Sequence, residues 1–530
     1  MSRATALRQG ALPALPAPLR TALGAVAFLL LWELLAQALD GSYLLAGPFA
    51  VARHAAEHAG LLWRALGATV EAAALGYLWG NLAAIAMAAV AILLPWTERP
   101  LRLLGLIVFC LPLVATGPIL RVLFGPGIGP QVTLSALGVF YTTLVPLLVG
   151  LRAVPQSWLD LVASYGRGRG AQLVQVRAMA SLPYLAAGLQ IAAPAAFLGA
   201  MIGEFTGAER GMGVLALRAM RTLDTEATWT LAVLAAVVSI AAYAAAGWGA
   251  RRLWPDAPAV LLAPPPVAAP GARWRRLAEP LAVAALVLAG WQLAMDAFDL
   301  SPFFAKRPGD VWAYLVTDPT AAGNRARLLG ALAQTLQTAL PGYLAGLAGG
   351  FALAVLCVLA AGLARVILPV AIALRAVPII TTAPLIVLAL GRGAAGTVTI
   401  VAVMIFFPTL IACLQGLRLV PAQVVDMFDS YASGRWRTLT LARIPAMLPA
   451  FFAAARMSIP AALLAATVAE WLATGTGLGN LMALSASTSD YGMLWSATVA
   501  LTLVAVLAHA AVARLEHAVL ARYAPEQLRH

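Results

Sequence analysis

Charged residues are scarce in this sequence: they make up 11% of its 530 residues, against 62% for hydrophobic types. Soluble domains carry about a quarter charged residues, so a water-soluble globule is excluded. A helix that crosses the roughly 30 Å hydrocarbon core of a bilayer needs about 20 apolar residues, and such runs recur along the chain. The composition therefore predicts an all-α polytopic protein with about twelve transmembrane helices in a lipid bilayer.

Lysine is nearly absent as well, since Lys306 is the only one, and the net charge of +13 comes almost entirely from arginine. The arginines lie in short connections rather than in a basic groove, so nucleic acid is not an expected partner. The three cysteines lie in apolar runs without paired spacing, which indicates neither a disulfide framework nor a thiolate metal site. His54 and His58 have metal-capable spacing but no further ligands, and we predict no metal site.

Nucleotide-binding and catalytic motifs are also missing. The sequence has no G-x-x-x-x-G-K-[ST] loop to hold nucleotide phosphates and no convincing nucleophile–base set or pair of catalytic acids. We therefore expect no enzymatic step and no cofactor on this chain. The first apolar run, Thr21 to Leu39, lacks a small-residue cleavage site, so we expect a retained helix rather than a removed signal peptide.

The chain contains an internal repeat with a constant offset of 266 residues. Gly150-Leu151-Arg152 returns as Gly416-Leu417-Arg418, and Glu204 returns as Glu470. Residues of the two halves keep this offset without a gap over about a hundred residues, which indicates a duplication. We expect a first six-helix repeat at 1–253, a Pro-rich cytoplasmic linker at 254–278 and a second six-helix repeat at 279–530.

The expected spans follow the apolar runs of each half. They lie near 20–39, 67–94, 101–122, 131–151, 183–205 and 228–250 in the first half, and near 279–297, 333–358, 362–390, 397–417, 449–470 and 493–514 in the second. In the first half, arginines concentrate in the N-terminal segment, the linker and every second connection. The positive-inside rule therefore predicts that both termini are cytoplasmic.

The long connection between the fourth and fifth spans is the most informative motif of each half. It starts at Asp160 or Asp426, continues through small and basic residues, and ends at Pro183 or Pro449. This pattern resembles the EAA loop of binding-protein-dependent ABC transporter permeases, with aspartate in place of the family's glutamate and Ala432 in place of its glycine. The resemblance implies that these loops contact ATPase subunits. The coupling residues would be Asp160, Ala163, Ser164, Gly166, Arg167, Arg169 and Pro183 in the first half, and Asp426, Asp429, Ser430, Ala432, Gly434, Pro445 and Pro449 in the second.

Two further segments resemble the nitrate/sulfonate/taurine group of these permeases. One runs from Cys110 to Gly127 and recurs from Arg375 to Gly393; the other is Gly203-Glu204-Phe205, which corresponds to Ala469-Glu470-Trp471. Permeases of this group are commonly six-helix chains that dimerise. The resemblance therefore implies a type I ABC importer-like permease whose two halves are fused, so that no second permease chain is needed.

The resemblance also implies the partners and the location. Two ABC ATPase subunits would bind ATP-Mg, an extracytoplasmic binding protein would deliver a small solute, and the chain would lie in a bacterial inner membrane. The solute would be similar to nitrate, sulfonates or taurine, or to a vitamin precursor. The alternative is a secondary active transporter with six plus six helices. The connection from Pro95 to Arg102 lacks the Gly-Asp-Arg signature expected of a major-facilitator protein.

Several residues inside the apolar runs are candidates for the transport pathway or its gate. The prolines either line a pathway or only kink a helix. The glutamates either contribute to an outer gate or reach the membrane interface, and the arginines either attract an anionic substrate or extend to the interface. These candidates are Pro112, Pro118, Pro378 and Pro384; Glu204 and Glu470; and Arg375 and Arg456.

Overall fold

All regular structure in the described part of the chain is helical, which confirms the predicted fold class. The computed structural model describes residues 17–39, 41, 45–125, 127–253, 273–360, 383, 386, 389–391, 393–431 and 433–523. Within these ranges, eight helices are long and apolar enough to cross a membrane, and a bent helix pair could provide a ninth crossing. Shorter apolar helices, Val26–Ala38 and Leu281–Ala297, lie at the first predicted span of each half.

The helices of the first half follow the predicted spans but several extend beyond them. They are α1 (Ala17–Ala38), α2 (Pro48–Glu57), α3 (Ala59–Leu93), α4 (Glu98–Cys110), α5 (Leu113–Phe124), α6 (Gly129–Arg152), α7 (Gln156–Ser164), α8 (Arg169–Gln172), α9 (Ala178–Phe205), α10 (Met212–Thr222) and α11 (Thr225–Leu253). A π-helical turn, Leu173–Arg177, joins α8 to α9. The fifth span is therefore continuous with the second part of the connection before it.

The helices of the second half repeat this order. They are α12 (Arg273–Ala297), α13 (Pro308–Trp312), α14 (Ala321–Leu359), α15 (Ala394–Arg418), α16 (Ala422–Ser430), α17 (Arg435–Thr438), α18 (Ile444–Ala469), α19 (Gly477–Ser487) and α20 (Tyr491–Tyr523). Helix α12 begins inside the predicted linker. Almost all of the predicted span at 362–390 lies outside the described residues.

The prediction of one continuous third span at 101–122 is wrong. Helices α4 and α5 meet at an angle of 92°. Pro112 cannot donate a backbone hydrogen bond, and it disfavours a helical conformation for the residue before it. Leu111 accordingly has extended torsions, φ −62° and ψ 129°, and α5 starts immediately after Pro112. Pro118 lies inside α5 and is buried without breaking the helix.

The second, fourth and fifth spans of each half pack into a three-helix core. A tyrosine hydroxyl links two of these helices at equivalent positions: Tyr77 donates to the Leu189 carbonyl (3.1 Å), and Tyr343 donates to the Ala455 carbonyl (2.9 Å). Small residues allow close approach of the helices, as is common in membrane bundles. The sequence duplication is therefore also a duplication of tertiary contacts.

Helices α4 and α5 connect the first half to the second. They contact α12, α18, α19 and α20. One buried apolar cluster contains Cys110, Ala115 and Ile119 from this broken span together with residues of the second half, such as Leu463 and Leu494. The bend at Pro112 thus lies where the two halves meet.

A substitution at Gly346 tests the close packing of α14 on α15. A Cβ atom at Gly346 would lie 2.7 Å from the Ala402 carbonyl oxygen, whereas Gly330 on the same helix has open space around it. We expect Gly346→Leu to destabilise the protein by about 1–3 kcal/mol, the usual cost of overpacking. Gly330→Leu is the matched control and should change the melting temperature in detergent little. Equal melting temperatures for both variants would contradict this packing.

Candidate functional site

The two predicted coupling loops have the same helix–turn–helix structure. Helices α7 and α16 start 266 residues apart, directly after Pro155 and Pro421, whose fixed φ suits the residue before a helix. Each is followed by a turn, a short helix and a π-helical turn that leads into the fifth span. The loop of each half is therefore connected directly to two spans, the fourth before it and the fifth after it.

Gly166 forms the turn of the first loop. Its φ of +72° lies in the left-handed region, which glycine adopts without the cost that a Cβ atom brings. Its N–H donates to the Ala163 carbonyl over 2.8 Å. The corresponding Ala432 of the second loop lies outside the described residues.

Both loops expose large apolar side chains. Leu159 is buried and holds α7 against the protein, while its neighbours Trp158 and Leu161 are more than half exposed. The second loop exposes Met427 and Trp436 in the same way. Clusters of exposed apolar residues usually mark interaction sites. Each loop can therefore serve as a docking surface for another protein.

Most predicted coupling residues lie on these exposed loops, but the prolines do not. The acidic and basic members are exposed on α7, α16 and the following turns. Pro183, Pro445 and Pro449 instead lie half-buried in the first part of α9 or α18. The structure thus brings the helix and turn of each loop together and places the prolines at the start of the attached span.

Glu204 and Glu470 form two equivalent buried clusters. The Glu204 carboxylate accepts hydrogen bonds from the Thr69 hydroxyl (2.6 Å) and the Gly213 N–H (2.6 Å). In the second half, Glu470 accepts from the Thr335 hydroxyl (2.9 Å) and the Gly479 N–H (2.8 Å). The threonine hydroxyls in turn accept from the backbone of α10 and α19, through Met212 N–H and Leu478 N–H, each over 2.8 Å.

These clusters attach a short helix to two spans. The N-terminus of α10 carries backbone N–H groups without a helical partner, and Thr69 and Glu204 supply acceptors for them. Both glutamates are only 2% exposed, so they are buried in the protein instead of being solvated at the membrane interface. The predicted role at an outer gate stays a prediction. Sequence reasoning identified the two acids but missed Thr69 and Thr335. These threonines are 266 residues apart, and this repeat offset is the signal that could have identified them.

Arg456 is paired inside the bundle. Its Nε lies 3.1 Å from the Glu516 carboxylate, and the two side chains are 14% and 6% exposed. Because Glu516 balances the charge of Arg456, this arginine is not an isolated cation ready for an anionic substrate. The other predicted arginine, Arg375, lies outside the described residues, as do Pro378 and Pro384.

Sequence reasoning also missed an ionic cluster beside the first loop. Glu98, at the start of α4, forms ion pairs with Arg102 and with Arg152 at the end of α6. Glu98 and Arg152 line a cavity of about 320 Å³ together with Gln156, Leu159 and Arg177. The cluster therefore joins the start of the broken span to the first coupling loop.

The threonines of the glutamate clusters provide a test of the attachment. Thr69→Val or Thr335→Val removes a hydroxyl that both donates to a buried carboxylate and accepts a backbone N–H. We expect each to lower stability by about 1–3 kcal/mol, the cost of unsatisfied buried polar groups. Thr133→Val is the control, because the hydroxyl of Thr133 donates within its own helix, to the Gly129 carbonyl. Thermal unfolding in detergent would detect the difference, and a shift for Thr133→Val as large as that for Thr69→Val would contradict it.

Comparisons with known proteins agree with this architecture. A probable ABC transporter permease protein of Haemophilus influenzae is 30% identical over 233 residues, which cover 43% of this chain and 93% of that protein. The riboflavin transport system permease protein RibX of Chloroflexus aurantiacus is 29% identical over 29% of this chain and 58% of its own length. The formylaminopyrimidine transport permease protein ThiX of Halalkalibacterium halodurans is 27% identical over 29% of this chain and 62% of its own length.

A family model matches the chain twice, once in each half. The model describes the binding-protein-dependent transport system inner membrane component and matches residues 76–255 and 346–522. Each match includes one of the two loops and the glutamate of one cluster. The threonines of the clusters, Thr69 and Thr335, lie before the matched ranges. Together the matches span more than half of the sequence, and the chain therefore belongs to the family of binding-protein-dependent transport system inner membrane components.

Proposed function

We propose that this chain is the complete transmembrane part of an ATP-driven importer for a small solute, and that its two cytoplasmic loops bind two ATPase subunits. The observation that supports this proposal is the pair of equivalent loops, each with exposed apolar side chains and each between two spans. The ATPases would bind ATP-Mg, and an extracytoplasmic binding protein would deliver the solute. The chain would lie in a bacterial inner membrane with both termini in the cytoplasm, and its fused halves would replace a permease dimer.

The connections of each loop explain how an ATPase could drive transport. Only three residues separate α6 from α7, and α8 continues through a π-helical turn into α9. A movement of the docked ATPase would therefore shift the fourth and fifth spans together. Because packed helices change between discrete arrangements instead of deforming continuously, such a shift can switch the bundle between inward-open and outward-open states.

For the solute, we favour a vitamin precursor over an anion similar to nitrate, sulfonates or taurine. Two relatives are named for riboflavin and formylaminopyrimidine transport. The pairing of Arg456 with Glu516 supports the same choice, because a balanced ion pair gives an anion little net attraction. The nitrate/sulfonate/taurine class is the second candidate. It rests on the resemblance of two motifs, the Cys110 to Gly127 segment and the Gly203 to Phe205 segment, and of their counterparts in the second half.

Docking on the loops can be tested by co-purification. We expect wild-type protein to retain its ATPase subunits in detergent, and the double variant Leu161→Arg/Met427→Arg to lose them. Both side chains are at least half exposed, so the substitutions place charge on the docking surfaces without disturbing the core. The control Phe303→Arg changes an exposed residue between α12 and α13, away from both loops, and should keep the ATPases.

Two outcomes would contradict the docking proposal. One is that the double variant retains the ATPases as well as the wild type does. The other is that the wild type binds no ATPase and that uptake into vesicles follows an ion gradient, as the secondary-transporter alternative requires.

The solute class can be tested by uptake. In proteoliposomes that contain the chain, its ATPases and its binding protein, we expect ATP-dependent uptake of riboflavin or an aminopyrimidine. An excess of unlabelled taurine or nitrate should not compete. Competition by either anion, with no uptake of the ring compounds, would favour the nitrate/sulfonate/taurine class instead.

A further inference from the structure

The Glu98 cluster joins the start of α4 to the end of α6 in the first half. Glu98 is the first residue of α4, and its side chain is 13% exposed, while its partners Arg102 and Arg152 are 39% and 48% exposed. Arg102 lies one turn further along α4, so this pair stays within one helix. The pair with Arg152 instead joins two helices, because Arg152 is the last residue of α6.

Arg152 is also close to the docking surface. Three residues separate it from α7, the helix of the first coupling loop. On the other side of the loop, Arg177 donates to the carbonyl of Leu151, the neighbour of Arg152, over 2.8 Å. The end of α6 is therefore held from both sides, by Glu98 of α4 and by Arg177 just before α9.

Helix α4 leads from this junction to the second half. With α5 it forms the broken span that packs against α12, α18, α19 and α20. A movement of the first loop that is passed through the Glu98–Arg152 pair would thus reach the contact between the halves.

The duplicated half does not repeat this pair. The residue 266 positions after Glu98 is Ala364, and the one after Arg102 is Leu368, although Arg152 is matched by Arg418. An alanine has no carboxylate, so the same ion pair cannot form in the second half. This difference stands out because the glutamate clusters and the tyrosine hydrogen bonds are kept in both halves.

We propose that Glu98 is a positioning residue that couples the first loop, and not the second, to the broken span between the halves. The proposal rests on the proposed function, since it assigns unequal roles to the two ATPase-docking loops. Arg102 and Arg152 are 39% and 48% exposed, so water solvates them when Glu98 is changed, and Arg102 still pairs with Glu98 when Arg152 is changed. No buried charge is left isolated in either case, and we expect little loss of global stability. Loss of the pair should impair the transmission of movement while the protein stays folded.

The test uses the full chain with its ATPases and binding protein in proteoliposomes, and it measures solute imported per ATP hydrolysed. In Glu98→Gln and Arg152→Gln we expect this ratio to fall about fivefold or more, as is usual for the loss of energetic coupling between sites. Co-purification of the ATPases and the melting temperature should stay close to wild type. Arg152→Lys keeps the charge and should retain most of the ratio, and Glu98→Arg/Arg152→Glu should restore part of it.

Arg418→Gln in the second half is the matched control and should change the ratio less than twofold, well below the about fivefold effect expected for coupling. An unchanged ratio in Glu98→Gln would overturn the proposal, as would an equal loss in Arg418→Gln, which would make the loops equivalent. Failure of the proposed function is a separate result, because it would appear as absent ATPase binding in the wild type. That result would remove both proposals.

Discussion

Lipid offers no hydrogen-bond partners, so polar groups within the spans must be satisfied by the protein itself. This constraint explains the polar features of the bundle. Thr69 donates a hydrogen bond to Glu204, and the two side chains accept two N–H groups at the start of α10. The second half repeats the arrangement with Thr335 and Glu470. Pro112 is buried, and residues on both sides of it pack against the other half, where protein surrounds the freed backbone groups. Arg456 and Glu516 form an ion pair within the bundle, so that neither buried charge is isolated.

The satisfied polar contacts also join separate elements of each half. The glutamate clusters attach the short helices α10 and α19 to the second and fifth spans, so these elements form one unit in each half. The two loops instead expose large apolar residues, among them Trp158 and Trp436. Exposed segments with few buried contacts open locally more readily than packed, hydrogen-bonded elements do.

Much of the fold was predictable from the sequence because its main signals are apolar runs and a repeat. The constant offset located two related halves, as the two matches to the family model confirm. The motif with Asp160 and Asp426 located both exposed loops. The break in the third span was not predicted, because the apolar run continues through Pro112 and a proline in a membrane helix can kink, break or leave the helix intact. Pro118, six residues later, illustrates the last case.

Partners of buried polar groups were the other part that sequence reasoning missed. Glu204 stood out as a carboxylate in an apolar run, but Thr69 is 135 residues away and is unremarkable by itself. Comparing the halves position by position could have found it, since contacts that the fold requires recur at an offset of 266. The differences between the halves are equally informative: Arg456 and Glu516 correspond to Gln190 and Ala250, and Glu98 corresponds to Ala364. In a symmetric homodimer every residue occurs twice and must suit both positions. The two halves of this chain differ in sequence, so each half can carry charged pairs that the other half lacks.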